Sequence, residues 1–190
     1  MRKLKLQIQI TLDGFMAGPN GEMDFMTWNW DKDLKAYVND LTEPVDTILL
    51  GRKLAEGFIP YWTTVASEAS NPEQKSGKKF TDTPKVAFTK TLEQSPWENT
   101  TLAKGELKQE IENLKNKAGG DMIAYGGSAF VSSLLEQGLV DDIHLFVNPV
   151  VIGEGLPVFK KSAQRQHLQL VSAKPFECGV VVLHYSSKKD

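Results

Sequence analysis

Short apolar runs, several ending in glycine, alternate with stretches of helical spacing through most of this chain, and few folds accommodate that alternation. Leu4, Leu6, Ile8, Ile10 and Leu12 alternate with Lys5, Gln7, Gln9 and Thr11, a period of two that predicts a strand with one buried face, ended by Asp13-Gly14. Leu34, Tyr37, Val38 and Leu41 fall at helical spacing behind Asp31 and Asp33, and Pro44 stops that helix. Val45 to Leu50 predicts a strand that enters Gly51-Arg52-Lys53 and a helix through Phe58. Lys85 to Thr89 predicts another strand, and Leu107, Ile111, Leu114 and Ala118 trace a helix closed by Gly119-Gly120. Met122 to Tyr125 then runs through Gly126-Gly127-Ser128 into a helix carrying Val131, Leu134 and Leu135. After that the texture is strands alone: Ile143 to Ile152, His167 to Val171 and Val180 to Tyr185. The implied fold class is α/β, three layers with helices on both faces of a mostly parallel mixed sheet and antiparallel strands at the C-terminal side.

Composition narrows the function. At 190 residues with no linker-like stretch, one domain over 1–190 is expected. Acidic residues number 24 against 22 basic, and the lysines are interspersed with acids, so no basic face for nucleic acid or an anionic membrane is expected. The pairs Lys78-Lys79 and Lys188-Lys189 read as solvated surface. Cys178 is the single cysteine, which excludes an intrachain disulfide and makes the cytoplasm the default. His144, His167 and His184 lie far apart without acids at ligand spacing, so no metal is expected.

In open parallel sheets the ligand crevice lies beyond the carboxyl ends of the strands. Gly51-Arg52-Lys53, Thr89-Lys90 and Gly126-Gly127-Ser128 each follow an apolar run there. Glycine at a strand-to-helix turn lets backbone N–H groups approach a phosphate, and basic residues add full charge, so together these turns describe a polyphosphate or dinucleotide site. Neither the P-loop nor the G-x-G-x-x-G fingerprint is present. The segment from Gly14 to Trp30 is rich in Gly, Pro and Asn yet carries Phe15, Met16, Phe25, Met26, Trp28 and Trp30, a loop apolar enough to fold over something. The polar stretch from Thr63 to Pro84 should hold a helical turn or be a functional or mobile loop.

The ordered set Thr11-Leu12-Asp13-Gly14-Phe15-Met16-Ala17, Ile48-Leu49-Leu50-Gly51-Arg52-Lys53, Ile123-Ala124-Tyr125-Gly126-Gly127-Ser128 and Asn148-Pro149-Val150-Val151-Ile152-Gly153-Glu154-Gly155-Leu156-Pro157-Val158-Phe159 resembles the dihydrofolate reductase-like superfamily. Within it the chain is most similar to the reductase domain at the C-terminus of bifunctional riboflavin-biosynthesis enzymes. That resemblance implies NADPH as cofactor: Gly51, Arg52 and Lys53 on its pyrophosphate, Thr89 and Lys90 on the 2′-phosphate, Gly126 and Gly127 beneath the pyrophosphate through a turn that often holds a cis peptide, Ser128 and Ala129 opening the next helix, and Met16 and Ala17 at the nicotinamide. Leu54 stands where the family commonly has a threonine. The resemblance further implies a homodimer.

Hydride transfer needs a proton source, and Asp33 is the expected catalytic acid, its plainer role being a first-turn helix acid. Trp28 and Glu154 are the candidate substrate contacts, and Trp30 with Trp28 could line a planar heterocycle's pocket, against the plainer roles of loop core and exposed loop acid. The expected function is an NADPH-dependent oxidoreductase acting on a C=N or C=O group of a pteridine- or pyrimidine-like small molecule. For the family this is 5-amino-6-(5-phosphoribosylamino)uracil reductase activity. Two other readings stay open: a reductase of an unrelated small carbonyl or nitro compound, and a non-catalytic NADPH-binding regulator.

Overall fold

The computed structural model describes residues 1–159 and 165–188, which leaves Lys189 of the terminal lysine pair outside the described residues. In chain order the elements are β1 (Leu4–Thr11), β2 (Phe15–Ala17), α1 (Lys32–Thr42), β3 (Val45–Gly51), α2 (Arg52–Ser67), α3 (Gln74–Asp82), β4 (Lys85–Phe88) and β5 (Thr100–Ala103). Then follow α4 (Leu107–Lys115), β6 (Asp121–Tyr125), α5 (Ser128–Glu136), β7 (Asp142–Asn148), β8 (Leu156–Pro157), β9 (Leu168–Pro175) and β10 (Val181–Ser187). The main sheet has eight strands in the order β5-β4-β3-β6-β1-β7-β10-β9. Neighbours from β5 through β7 pair in parallel, and β10 runs antiparallel between β7 and β9.

The alternation in β1 conceals burial on both sides. Leu4, Leu6, Ile8 and Ile10 join a core with Ile111 and Leu114 of α4 and Val131 and Leu134 of α5. The opposite face carries a second core, built from Leu34 and Leu41 of α1, Ala55 and Ile59 of α2, and Ile48, Leu50, Ile123, Tyr125 and Phe146 of the sheet. Gln7, which alternation turns toward that second core, is only 9% exposed. The expected half-buried strand is therefore corrected: β1 sits in mid-sheet with helices over both faces, so its polar positions are covered rather than solvated.

Other boundaries also differ from expectation. α2 continues past Phe58 and through Pro60 to Ser67. Proline removes one helical N–H donor, but Ala55, Ile59 and Val65 hold one face of α2 in the core on both sides of it, and packing outweighs the lost bond. The polar stretch after Thr63 holds this last part of α2 and then α3, which lies against it. A Cβ at Gly77 would stand 2.7 Å from Ala66 N, so α3 is docked backbone-close on α2. Its end is tied by Lys85, whose buried Nζ donates to the carbonyls of Phe80, Thr81 and Thr83 at 2.8–3.0 Å. β5, with the short sequence Thr-Thr-Leu-Ala, forms the sheet edge beside β4, and β2 pairs with β8 apart from the main sheet.

Candidate nucleotide-binding site

Because β3, β4 and β6 are adjacent and parallel, the turns that follow them lie side by side at the carboxyl edge of the sheet. Arg52 opens α2 there, Thr89 follows β4, and Gly126-Gly127-Ser128 leads from β6 into α5. The two glycine-led turns approach each other: an ideal Cβ on Gly126 would lie 3.6 Å from Leu54 Cδ2 in the first turn of α2, and one on Gly127 would lie 3.7 Å from Leu54 Cβ. Those are ordinary contact distances, so packing alone does not require a missing side chain at Gly126. Gly127 takes φ +88°, a conformation that glycine adopts without the Cβ penalty. The peptide bonds are trans throughout the described residues, so the cis bond that the resemblance implied at the double glycine is not found. Gly51 has a different reason to be glycine. A Cβ there would meet Phe130 Cβ of α5 at 2.8 Å, so its small size lets α5 cross the end of β3.

Four helices, α1, α2, α4 and α5, start at this edge, and their N-termini are not equivalent. α1 is capped by Asp31, whose carboxylate accepts from Leu34 N at 2.8 Å and from Cys178 N at 3.0 Å; these bonds hold its pKa below the usual value. α4 follows Glu106 and has Glu110 in its first turn, with Glu110 accepting from Gly105 N at 2.9 Å. α2 and α5 have glycine caps, no side-chain cap bond and no acid in the first turn. Only these two leave their orphan N–H groups clear of a neighbouring carboxylate, which suits an anion. Ser128 and Ala129 form the first turn of α5, and Lys53 is exposed on α2. Arg52 pairs with Glu56 one turn on, at 2.5 Å, so part of its charge is engaged within the helix.

The residues expected further along the edge are held by the protein itself. Thr89 is 6% exposed, and its hydroxyl accepts from Thr91 N at 3.1 Å and Leu92 N at 3.2 Å. Lys90 Nζ donates to the carbonyls of Lys104 and Gly105 and pairs with Glu106 at 3.4 Å, which turns it toward the start of α4. Met16 and Ala17 are buried in β2, with the Met16 side chain in the first core. Trp28 is 70% exposed in the loop, and Glu154 is exposed in the turn whose Gly153 N donates to Asp13 at 2.8 Å. Asp33 is also exposed. It lines a shallow groove with Tyr37, Lys174 and Phe176, on the flank of α1 that faces the β9–β10 turn. The nucleotide turns follow β3, β4 and β6, further along the strand order, and the groove that Asp33 lines contains none of their residues.

Two residues of the central strands, Asn148 and Gln7, were not singled out as site residues from sequence. Asn148, fully buried at the end of β7, donates through Nδ2 to Gln9 Oε1 at 2.9 Å and toward Ile10 O and Phe146 O at 3.2 Å, while its Oδ1 accepts from Thr27 N at 2.9 Å. It therefore anchors the apolar loop to the sheet. Trp30, in that loop, stacks on Phe146 with ring centroids 6.0 Å apart. Trp30 Nε1 and Gln7 Oε1 are buried without a hydrogen-bond partner among the described residues. Two of the histidines placed far apart in sequence meet: His144 and His184 stack at 4.0 Å, His184 bonds Asp142 at 2.9 Å, and His144 Nδ1 meets Tyr37 Oη at 2.7 Å. Burial pushes His144 down to about 3, helped by the nearby His184. Among the described residues no group of His, Cys, Asp and Glu forms a metal cage, and no helix is long and apolar enough to cross a membrane.

A parallel sheet with helices on both faces, an antiparallel C-terminal hairpin and glycine-led turns at adjacent strand ends make a dihydrofolate reductase-like fold. The profile of the RibD C-terminal domain family matches residues 2–182, and the chain belongs to that family. Uncharacterized protein YyaP of Bacillus subtilis (strain 168) is 33% identical over 188 residues, covering 97% of this chain and 94% of its own length. The crystal structure of a diaminohydroxyphosphoribosylaminopyrimidine deaminase/5-amino-6-(5-phosphoribosylamino)uracil reductase from Thermotoga maritima aligns with TM-score 0.69 and 20% identity, over 98% of this chain and 57% of that one. Dihydrofolate reductase from Enterococcus faecalis, complexed with NADP(H), aligns with TM-score 0.64 and 17% identity over 98% and 97% of the two chains. At these identities the structural likenesses show the fold alone.

Proposed function

We propose that this chain is an NADPH-dependent reductase that transfers hydride to a C=N or C=O carbon of a pyrimidine- or pteridine-like molecule. The observation that carries the reading is the convergence of two acid-free, glycine-capped helix N-termini, those of α2 and α5, across Leu54 and Gly126. The family supports it, and so do the two structural neighbours, one a uracil reductase and one a reductase complexed with NADP(H). When bound, NADPH supplies the hydride, and the carbon that receives it becomes saturated as its heteroatom takes up a proton.

The residues fit the cofactor. The N-termini of α2 and α5, with no side-chain cap bond and no acid in the first turn, would hold a pyrophosphate against their backbone N–H groups, and Arg52 and Lys53 supply the positive charge. Lys90 would reach a 2′-phosphate by leaving its exposed contacts with Lys104, Gly105 and Glu106, exchanging one set of acceptors for a stronger anionic one. The homodimer implied by the resemblance has its support in outer strand β9, where Leu170 and Val171 are each 54% exposed.

Thermal melting with NADPH, NADH and no nucleotide tests the reading, because a ligand that binds only the folded state raises Tm. NADPH is expected to stabilise the chain well beyond NADH, and Arg52→Ala is expected to remove about tenfold or more of NADPH affinity. Absence of any NADPH-induced shift refutes the proposal. NADPH binding with no oxidation against a substrate panel would instead favour the non-catalytic regulator.

A further inference from the structure

We infer that Gln7 and Trp30 are the specificity-determining pair of this site, reading the polar edge of a flat heterocycle in which a ring N–H adjoins a ring C=O. The inference rests on the reductase reading above and deepens it. Gln7 Oε1 is an acceptor and Trp30 Nε1 a donor; both atoms are buried, and neither has a partner among the described residues. Buried polar groups are almost always paired, and leaving one unpaired costs more than its bond returns when made. Two orphans of opposite polarity on one sheet face call for a ligand that satisfies both.

Their placement fits such a ligand. Gln7 stands in mid-sheet on β1, opposite Tyr125 of β6 and His144 of β7. Tyr125 immediately precedes the Gly126-Gly127 turn, so Gln7 neighbours the strand that carries the nucleotide cradle. Trp30 lies on Phe146, which faces Gln9, the next residue of β1 on the same side. Two residues along a strand span roughly 7 Å, the scale of one or two fused six-membered rings. Glutamine is neutral and offers no counter-charge to a cationic ring at this position. The pair thus selects for neutral, lactam-type hydrogen bonding: the ring N–H donates to Gln7 Oε1, and the ring carbonyl accepts from Trp30 Nε1.

The test uses the full chain saturated with NADPH and two probes, 5,6-diaminouracil and its 1,3-dimethyl derivative, which has the same carbonyls and no ring N–H. Calorimetric titration is expected to show wild type preferring the N–H probe by about tenfold or more, since methylation strands the buried acceptor. Gln7→Leu, close in size, is expected to lose that preference and to raise the Tm of the ligand-free chain, because it removes an unpaired acceptor. Trp30→Phe is expected to weaken both probes while keeping the ring packed on Phe146. A lowered Tm in Gln7→Leu with the probe preference intact makes Gln7 structural and overturns the inference. Failure of wild type to bind either probe while NADPH still binds also overturns it and leaves the nucleotide reading standing. Failure to bind NADPH overturns both.

Discussion

Replacing Asn148 by alanine should loosen the apolar loop and destabilise the whole chain by an amount that its bonds allow to be worked out. The side chain is fully buried and approaches three acceptors through Nδ2, but an amide nitrogen carries two hydrogens, so two of those bonds are complete at a time. Adding the bond from Thr27 N makes three. At a net of about 1 kcal/mol each, the loss is about 3 kcal/mol, and for a chain of this length that lowers Tm by roughly 6–12 °C. Urea melting gives the free energy, and chymotryptic cleavage among Phe25, Trp28 and Trp30, followed by mass spectrometry, reads the loop directly. Asn148→Asp sharpens the comparison. It keeps an acceptor for Thr27 N but turns a carboxylate toward the carbonyls of Ile10 and Phe146. Burial would raise that carboxyl above its unfolded value of about 3.9, so the deficit grows as pH rises from about 4 and shrinks as pH falls back toward it. Asn148→Asp should therefore be the weaker variant at pH 7 and recover on acidification. A loss below about 1 kcal/mol in Asn148→Ala, with loop cleavage unchanged, would refute the anchoring role.

Two further outcomes follow from buried or misplaced groups. His144 faces Tyr37, His184, Asp142 and Lys5, and burial holds it near 3, whereas the unfolded chain takes up its proton below about 6.5. The unfolded state thus binds more protons across that window, and stability should fall with acidification at up to about 1.4 kcal/mol per pH unit. Urea midpoints between pH 7 and 4 are expected to decline more steeply for wild type than for His144→Gln, and parallel curves would contradict the assignment. Asp33→Asn should leave turnover within about twofold under NADPH-saturated conditions, since Asp33 opens on the far flank of α1. A hundredfold loss would restore it as the proton donor.

What the sequence made legible was the repeated strand followed by glycine and helix, because each of those signals is local. Val45–Gly51 into Arg52 and Asp121–Tyr125 into Ser128 combine an apolar run, a turn residue and helical spacing within about a dozen positions. β5 went unread because two of its four residues are threonine and it pairs on one side only, so neither alternation nor apolar density marks it. α3 was hidden for a related reason. Its sequence, Gln-Lys-Ser-Gly-Lys-Lys-Phe-Thr-Asp, offers Phe80 as the single large apolar residue, and it is held instead by the close approach at Gly77 and the Lys85 bonds at its end. At the site, Arg52 and the double glycine could be read, whereas Gln7 and Asn148 could not. A polar residue alternating with apolar ones signals a wet face, and only the sheet order shows that β1 is covered on both.

Two anchors of unequal strength hold the loop that carries Trp30. Thr27 is bonded to Asn148, Asp31 caps α1 and accepts from Cys178, and three residues, Trp28, Asn29 and Trp30, separate the two anchors. A span that short cannot shift Trp30 away from Phe146 while both anchors stay fixed. The anchors are unequal. Asp31 is a carboxylate with two backbone N–H donors, and charge-assisted bonds are roughly twice as strong as neutral ones, whereas Thr27 N meets a neutral amide. A loop movement that admits a ring beside Trp30 Nε1 would therefore pivot at Asp31 and break at the weaker Asn148 anchor. The cost is about one neutral hydrogen bond, roughly 1 kcal/mol, small enough for a bound ring to offset by pairing the two orphaned atoms of Gln7 and Trp30.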